Sequence, residues 1–325
     1  MSITIKDVAR QANVSVATVS RVLNNLPGYS EDTKKKVLGI INDLGYQPNA
    51  IARGLINKKT KTIGVLLPNV SNLFAADVLA GIEDIAHEMD YSVVICKTDK
   101  SGERTLKYLQ MLREKQVDGI LFVSEWMKEE YYEVISRMSI PVVLVSTKSD
   151  YPLPYVKVND FEASYDAVNY LLNKGHRSIG MIAGTEGDLI ATSPRVEGFK
   201  KALLDEGIDD EPAIVYGDFA FETGITGMEE LIEKYPEVTA VFCASDEMAV
   251  GALSYLYKKN IRVPDQIAVV GYDNTSAAEK AIPPLTTVGQ PLYEMGRSAA
   301  EMLLKKRPTS NVVLQHKIIE RETVK

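Results

Sequence analysis

The sequence predicts a small all-α head followed by a large α/β body built from two doubly wound parallel sheets. Two observations carry this reading. Residues 1–61 carry ten Lys/Arg against four Asp/Glu, a balance of +6, whereas the rest of the 325-residue chain carries 27 against 40, a balance of -13. The texture also changes at residue 62: short helical patterns give way to near-continuous apolar, β-branched runs that alternate with amphipathic helical runs. Such runs are the signature of parallel strands covered on both faces.

In the head, "IKDVARQA" reads as a helix with Val8, Ala9 and Ala12 on one face. Asn13-Val14-Ser15 breaks it, because Asn tolerates the left-handed backbone of a sharp turn. Ser15 is a good N-cap for "VATVSRVLN", whose inner face is Val19, Val22 and Leu23. After the "LPGYS" loop, Ser30 caps "EDTKKKVLGIINDLG", which stops at Gly45. "YQPN" opens a fourth short segment, "AIARGLINKKTK".

In the body the expected strands are "TIGVLLP", "YSVVICK", "VDGILFV", "PVVLVS", "SIGMIAG", "AIVYGD", "AVFCAS" and "QIAVVGY". Helices are expected to start near Phe74, Gly102, Lys128, Phe161, Pro194, Glu222, Asp246 and Leu292. Eight such units exceed one comfortable open sheet, and a split near 155–160 gives two similar halves that face each other across a cleft. The expected domains are 1–48 (helical head), 49–61 (linker), 62–158 completed by about 291–318, and 159–290 completed by about 319–325.

Several classes are disfavoured. No apolar run approaches the roughly 20 residues of a membrane span, and "MSITIKDVARQ" lacks the apolar core of a signal peptide. Cys96 and Cys243 each sit in a strand-like run and read as buried free thiols of a reducing compartment, so a cytoplasmic location is expected. No metal site or cofactor is expected. No phosphate loop, G-x-S-x-G elbow or H-E-x-x-H occurs, and His87, His176 and His316 are scattered, so no catalytic residue is assigned and an enzyme is not expected. His176 is expected to bridge a helix to a strand.

Two helices joined by a tight turn, the second small and weakly charged, fit a helix-turn-helix, although an ordinary three-helix bundle shares the pattern. Short residues at the start of the second helix let it approach base edges in the major groove. Val16, Ala17 and Thr18 lie there, Arg21 one turn on reaches guanine O6/N7, and Ser15, Thr18 and Ser20 can donate to phosphates.

At this point the chain resembles the lactose-repressor/galactose-repressor family. "TIKDVARQANVSVATVSRVLN" is similar to its helix-turn-helix and "KKVLGIINDLGYQPNAIARGL" to its third helix and hinge helix. The likeness continues through "KTIGVLLPNVSNLFAADVLAGIEDIA", "KGHRSIGMIAG", "AVFCASDEMAVGAL", "IRVPDQIAVVGYDN" and "IPPLTTVGQPLYEMG", with a texture close to catabolite control proteins and sugar-operon repressors. The resemblance implies a periplasmic-binding-protein-like body and a homodimer on a palindromic operator in double-stranded DNA. It also implies a transcriptional repressor role governed by a carbohydrate-like effector. Thr4, Lys6, Asn24, Tyr29 and Asn49 join the expected DNA contacts. Residues 49–55 would fold as a hinge helix on DNA, with Leu55 wedged between central base pairs and Ala52 and Arg53 beside it.

The effector is expected at the carboxyl ends of the strands. Asp273 ends a strand and should point into the cleft. In "TSPRVEGF", Ser193 reads as N-cap and Pro194 as first helical residue. Arg195 then falls in a first turn that disfavours a cation, which an anion or ligand hydroxyls would compensate. By resemblance, Arg195 anchors the effector, Phe219 stacks on it and Gln290 contacts it at the crossing between halves. Asn72, Leu73 and Phe74 form one rim; Asn159 and Asp160 are weaker candidates; Asp246 and Glu247 read chiefly as helix N-terminal charges, with Ser245 or Asp246 able to touch ligand.

There are departures from the family pattern. Ser146-Thr147 stand where many sugar-binding members carry an aspartate, and "GDLIAT" lacks a second cation, which argues against a purine-like effector. Glu301 stands where a coregulator-binding member would be basic, so a small molecule is favoured over a phosphoprotein coregulator. No heptad helix follows "IIERETV", so a dimer is expected.

Overall fold

The computed structural model describes residues 3–46, 59–99, 101–305 and 310–325. The chain divides into two units, Met1–Lys61 and Thr62–Lys325.

The first unit holds α1 (Ile5–Ala12), α2 (Val16–Leu23) and α3 (Glu31–Leu44). Their starts and stops follow side-chain chemistry. Thr4 donates its backbone N–H to Asp7 Oδ2 at 3.0 Å, Ser15 Oγ accepts from Thr18 N at 3.0 Å, and Ser30 Oγ accepts from Thr33 N at 3.2 Å. Asn13 and Gly45 end α1 and α3 in the left-handed conformation, as their small or amide side chains permit. Val8, Ala9, Ala12, Val19, Val22 and Val37 form the core, with Leu23 packed at its edge.

The second unit begins β1 (Thr62–Leu67), α4 (Leu73–Glu88), β2 (Ser92–Lys97), α5 (Glu103–Glu114), β3 (Gly119–Val123), α6 (Glu129–Ser136), β4 (Val142–Val145) and β5 (Tyr155–Val158). It continues with α7 (Asp160–Asn173), β6 (Ile179–Ala183), α8 (Thr192–Asp205), β7 (Ile214–Tyr216), α9 (Phe221–Lys234), β8 (Ala240–Cys243) and α10 (Asp246–Lys258). It closes with β9 (Ala268–Asp273), α11 (Ser276–Lys280), β10 (Thr286–Gly289), α12 (Leu292–Leu304), β11 (Val312–Leu314) and β12 (Lys317–Ile319).

Two six-stranded sheets result, ordered β11-β5-β4-β3-β1-β2 and β12-β10-β9-β8-β6-β7. Among the described residues, all ladders are parallel except β10–β12. In each sheet the strand order turns back beside the first strand laid down, β1 against β3 and β6 against β8, and there the crevice for a ligand opens. The central strands are buried along their length, as β3 and β8 show.

Five elements escape the sequence reading: β5, β10, β11, β12 and α11. Each is five residues or fewer, too short for a periodicity to register. The chain crosses between sheets at Asn159, at Gln290–Pro291 and between Leu314 and Lys317. The last crossing falls ahead of the expected 318.

Apolar clusters fill both faces. One large cluster around Phe199, Phe242 and Tyr272 serves the second sheet, and two clusters, around Ile82 with Met295 and around Phe122 with Tyr131, serve the first. On the first sheet α4 and α12 touch backbone to backbone. A Cβ on Gly296 would lie 2.1 Å from Val78 O, and one on Gly81 would lie 2.0 Å from Tyr293 O, so glycine is required at both. Cys96 and Cys243 are free and buried, and burial pushes the Cys96 thiol up to about 11. His176, in the turn after α7, meets Thr239, just before β8, at 3.0 Å. No described helix is long and apolar enough to cross a membrane.

Candidate functional site

Loops at the carboxyl ends of the strands of both sheets enclose a cavity of about 370 Å³, at the lower end of the range for small-molecule sites. Its floor is Arg195, 4 % exposed. The guanidinium donates through Nε and Nη2 to Asp160 Oδ1 at 3.1 and 2.9 Å and through Nη1 to Ala244 O at 2.6 Å. It lies 3.7 Å from the ring centroid of Tyr272 and 5.9 Å from that of Phe219. Asp160 is further held by Tyr272 Oη at 3.1 Å and by Lys157 Nζ at 3.0 Å. A buried cation is tolerable only with such pairing, and stacking on aromatic faces adds to it.

The anion compensating Arg195 is therefore Asp160 of the protein itself. The helix also starts earlier than the Ser193/Pro194 pattern suggests. α8 begins at Thr192, and Asp188 takes the amides of Ile190, Ala191 and Thr192 at 2.9, 3.1 and 2.9 Å. Arg195 thus lies one turn in, away from the helix end.

Asp273 ends β9 with φ +116° and accepts from Gln290 Nε2 at 2.7 Å. Burial pushes its carboxyl well above the ordinary range, with Arg195 opposing and Asp246 adding to the rise. Ser124, Ser146 and Phe219, all on the cavity wall, also hold positive φ, a conformation that costs energy in a residue with a side chain. Phe219 reaches over the cavity because residue 184 is glycine: a Cβ there would lie 2.0 Å from Phe219 Cζ.

Of the twelve expected effector residues, Asn72, Leu73, Phe74, Ser146, Arg195, Phe219, Ser245 and Asp273 line the cavity. Four do not. Asn159 caps α7, accepting from Glu162 N at 3.4 Å. Asp160 is buried behind Arg195. Asp246 faces inward, accepting from Thr275 N at 2.7 Å, Thr275 Oγ1 at 3.0 Å and Thr287 Oγ1 at 2.6 Å. Gln290 lies beneath Asp273. Burial raises the Asp246 carboxyl to about 6 against these hydrogen bonds. Asp188, Asp218, Glu247 and Thr275 line the cavity as well. Their only sequence signal is an acid or hydroxyl just before or at a helix start, which reads equally well as a cap. Among the described residues, no group of His, Cys, Asp and Glu could hold a metal.

On the head, Thr4, Lys6, Ser15, Val16, Ala17 and Arg21 are exposed, and Thr18, Ser20, Asn24 and Tyr29 are half-buried. Val16, Ala17 and Arg21 make a short exposed face on α2. Asn24 turns its amide back on its own helix, donating to Ser20 O at 2.8 Å. Asn49, Ala52, Arg53 and Leu55 lie outside the described residues.

Residues 60–322 match the family described as periplasmic binding proteins and sugar binding domain of LacI family, and residues 4–49 match bacterial regulatory proteins, lacI family. The chain belongs to the LacI family. It is 40 % identical over 330 residues to the HTH-type transcriptional regulator RegA of Clostridium saccharobutylicum, covering 99 % of each chain. It is 40 % identical over 332 residues to the catabolite control protein A of Priestia megaterium, covering 100 % of each. Among solved structures, a lac repressor dimer bound to operator and the anti-inducer ONPF superposes with a TM-score of 0.89 at 26 % identity over 99 % of each chain. A complex of the regulator CelR with cellobiose superposes with a TM-score of 0.75 at 31 % identity, again over 99 % of each. This LacI-family member is a transcriptional regulator: a helix-turn-helix head joined to a two-sheet effector-binding body, as the residues alone suggest.

Proposed function

We propose that this regulator is a cytoplasmic, homodimeric repressor of carbohydrate-utilisation genes, released or armed by a sugar or sugar phosphate bound in the cavity of the body. The observation that carries this reading is Arg195: a buried guanidinium, oriented by Asp160 and stacked on Tyr272, on a cavity wall shared with Phe219 and Asp273. Polar groups around an aromatic platform suit a hydroxyl-rich ring. CelR, a relative in structure, was solved with cellobiose.

In the head, Val16 and Ala17 would meet base edges, Arg21 a guanine, and Thr4, Lys6, Ser15, Thr18, Ser20, Asn24 and Tyr29 the backbone or flanking bases. Asn49, Ala52, Arg53 and Leu55 would add minor-groove contacts. Dimerisation would give the two heads of a palindrome-reading protein. A catabolite-control mode with a protein coregulator is the alternative; it is not favoured, because Glu301 on α12 stands where a coregulator-binding member would be basic.

The test is operator selection from random duplexes by the purified chain, repeated with Arg21→Ala. The substitution should cost about 1–3 kcal/mol of discrimination at one base pair of each half-site. Unchanged selectivity would remove Arg21 from the reading, and no preference for any duplex would remove the reading itself.

A further inference from the structure

We propose that the cavity takes an uncharged, hydroxyl-rich effector and rejects the phosphate esters of the same molecule, with Glu247 as the residue that sets this selectivity. The proposal rests on the cavity being the effector site, and it narrows the choice between sugar and sugar phosphate.

In an open parallel-sheet cleft a phosphate is held by helix N-termini, where unpaired amides and the positive end of the helix dipole meet. Five helices begin at this cavity: the short α11 follows Thr275, whose N–H and Oγ1 are held by Asp246, and each of the four longer ones already has its anion or its cap from the protein. Asp188 takes three amides at the start of α8. Asp218 Oδ1 accepts from Ala220 N at 3.1 Å and Thr223 Oγ1 at 2.8 Å at the start of α9. Ser245 caps α10, accepting from Met248 N at 3.1 Å, and Asp246 and Glu247 lie in its first turn.

The remaining helix, α4, has a neutral cap, Asn72, which accepts from Ala75 N at 2.9 Å. Its first amide, Leu73 N, instead donates to Glu247 Oε1 at 3.5 Å across the gap between the two sheets. One carboxylate thus serves two facing helix ends. The cation offers no alternative, since Arg195 is engaged by Asp160 and Ala244 O.

Even with Asp273 protonated, three carboxylates on the wall face one guanidinium. A phosphate entering there meets like charge at every position that would otherwise hold it. Hydroxyls do not: they can donate to these carboxylates and meet the neutral groups of Ser124, Ser146 and Thr185.

The experiment is titration calorimetry on the purified full-length chain with matched pairs: glucose and glucose 6-phosphate, cellobiose and cellobiose 6′-phosphate, maltose and maltose 6′-phosphate, with inorganic phosphate as competitor. At least one free sugar should bind, and its ester should bind at least tenfold more weakly, about 1.4 kcal/mol. Inorganic phosphate should not compete. Glu247→Gln, which keeps the shape and the acceptor but removes the charge, should shrink the ratio at least threefold. Glu247→Asp should restore it, a result that a purely structural role for Glu247 would not give. An ester that binds as tightly as its parent, a panel in which no free sugar binds, or a ratio untouched by Glu247→Gln each overturns the proposal. Duplex selection on the same preparation reports separately on the regulator reading: loss of DNA preference breaks that reading while the ligand ratios stand.

Discussion

The two walls of the cavity differ in kind. The wall from the first sheet, including Pro68, Leu73, Phe74, Val123, Ser124 and Ser146, carries no ionisable group, whereas all five ionisable lining residues, Asp188, Arg195, Asp218, Glu247 and Asp273, come from the second. The second wall is also backed by paired polar groups: Asp160 joins Lys157, Arg195 and Tyr272, Gln290 holds Asp273, and Thr275 and Thr287 hold Asp246. A wall of this sort is costly to rearrange, because each partner left behind is a buried polar group. The difference assigns tasks: the charged wall is set before a ligand arrives, and the neutral wall adds contact.

Arg195→Ala tests this most severely. It leaves Asp160 with Lys157 as its one cation and the Tyr272 hydroxyl as a donor, and loss of one member of a buried pair costs about 3–5 kcal/mol. Urea denaturation of the full chain should show a loss of that size; a change below about 1 kcal/mol would mean that the charged wall is not preorganised.

A second probe uses pH. The folded-state carboxyl of Asp246 is raised to about 6 by burial, opposed by Thr287 and Thr275. The folded protein therefore holds this proton more tightly than the unfolded chain does, and stability falls as pH rises. The stabilisation by protonation is fully present below about pH 4 and lost as pH passes through about 6, a change of order 2–3 kcal/mol. Melting curves of wild type and Asp246→Asn between pH 4 and 7 should converge in slope only if another group carries this ramp; the variant should be flatter.

Gly184→Ala, also on the charged side, places a methyl 2.0 Å from the Phe219 ring and 2.5 Å from Thr192 Oγ1. Overpacking should cost about 1–3 kcal/mol and turn Phe219 out of the cavity, so effector affinity should drop while operator binding persists. Phe74→Ala, on the neutral side, should do least. The ring is half-buried, so stability should change by about 1 kcal/mol or less, while effector affinity, read by calorimetry, should fall about tenfold. A larger stability loss here than for Gly184→Ala would erase the contrast between the walls.

The head was almost wholly legible in sequence. Its helices are bounded by local chemistry, Ser15, Ser30, Asn13 and Gly45, and caps act within a turn of the residue that writes them. The long central strands and their helices were legible for a similar reason, since a buried parallel strand must be apolar throughout. The short strands β5, β10, β11 and β12 were not: three or four residues carry no period of their own, the equally short β4, β7 and β8 were legible only as parts of longer strand-like stretches, and pairing across the sheet makes the others strands.

Sequence by itself determined the two-part architecture, the class of fold, the α2 face of Val16, Ala17 and Arg21, and eight of the residues that line the cavity, because chain order fixes which loops follow which strands. Only tertiary structure decided that Asp160 meets Arg195 from 35 residues away, that Gln290 lies under Asp273, that Asp246 looks inward while Glu247 looks across, and that all the charge is on one side. The physical reason is that a carboxylate before or at the start of a helix has the same local pattern whether it caps its own helix, neutralises a distant cation or faces a ligand. Which of these it does depends on what the fold brings within about 3 Å of it.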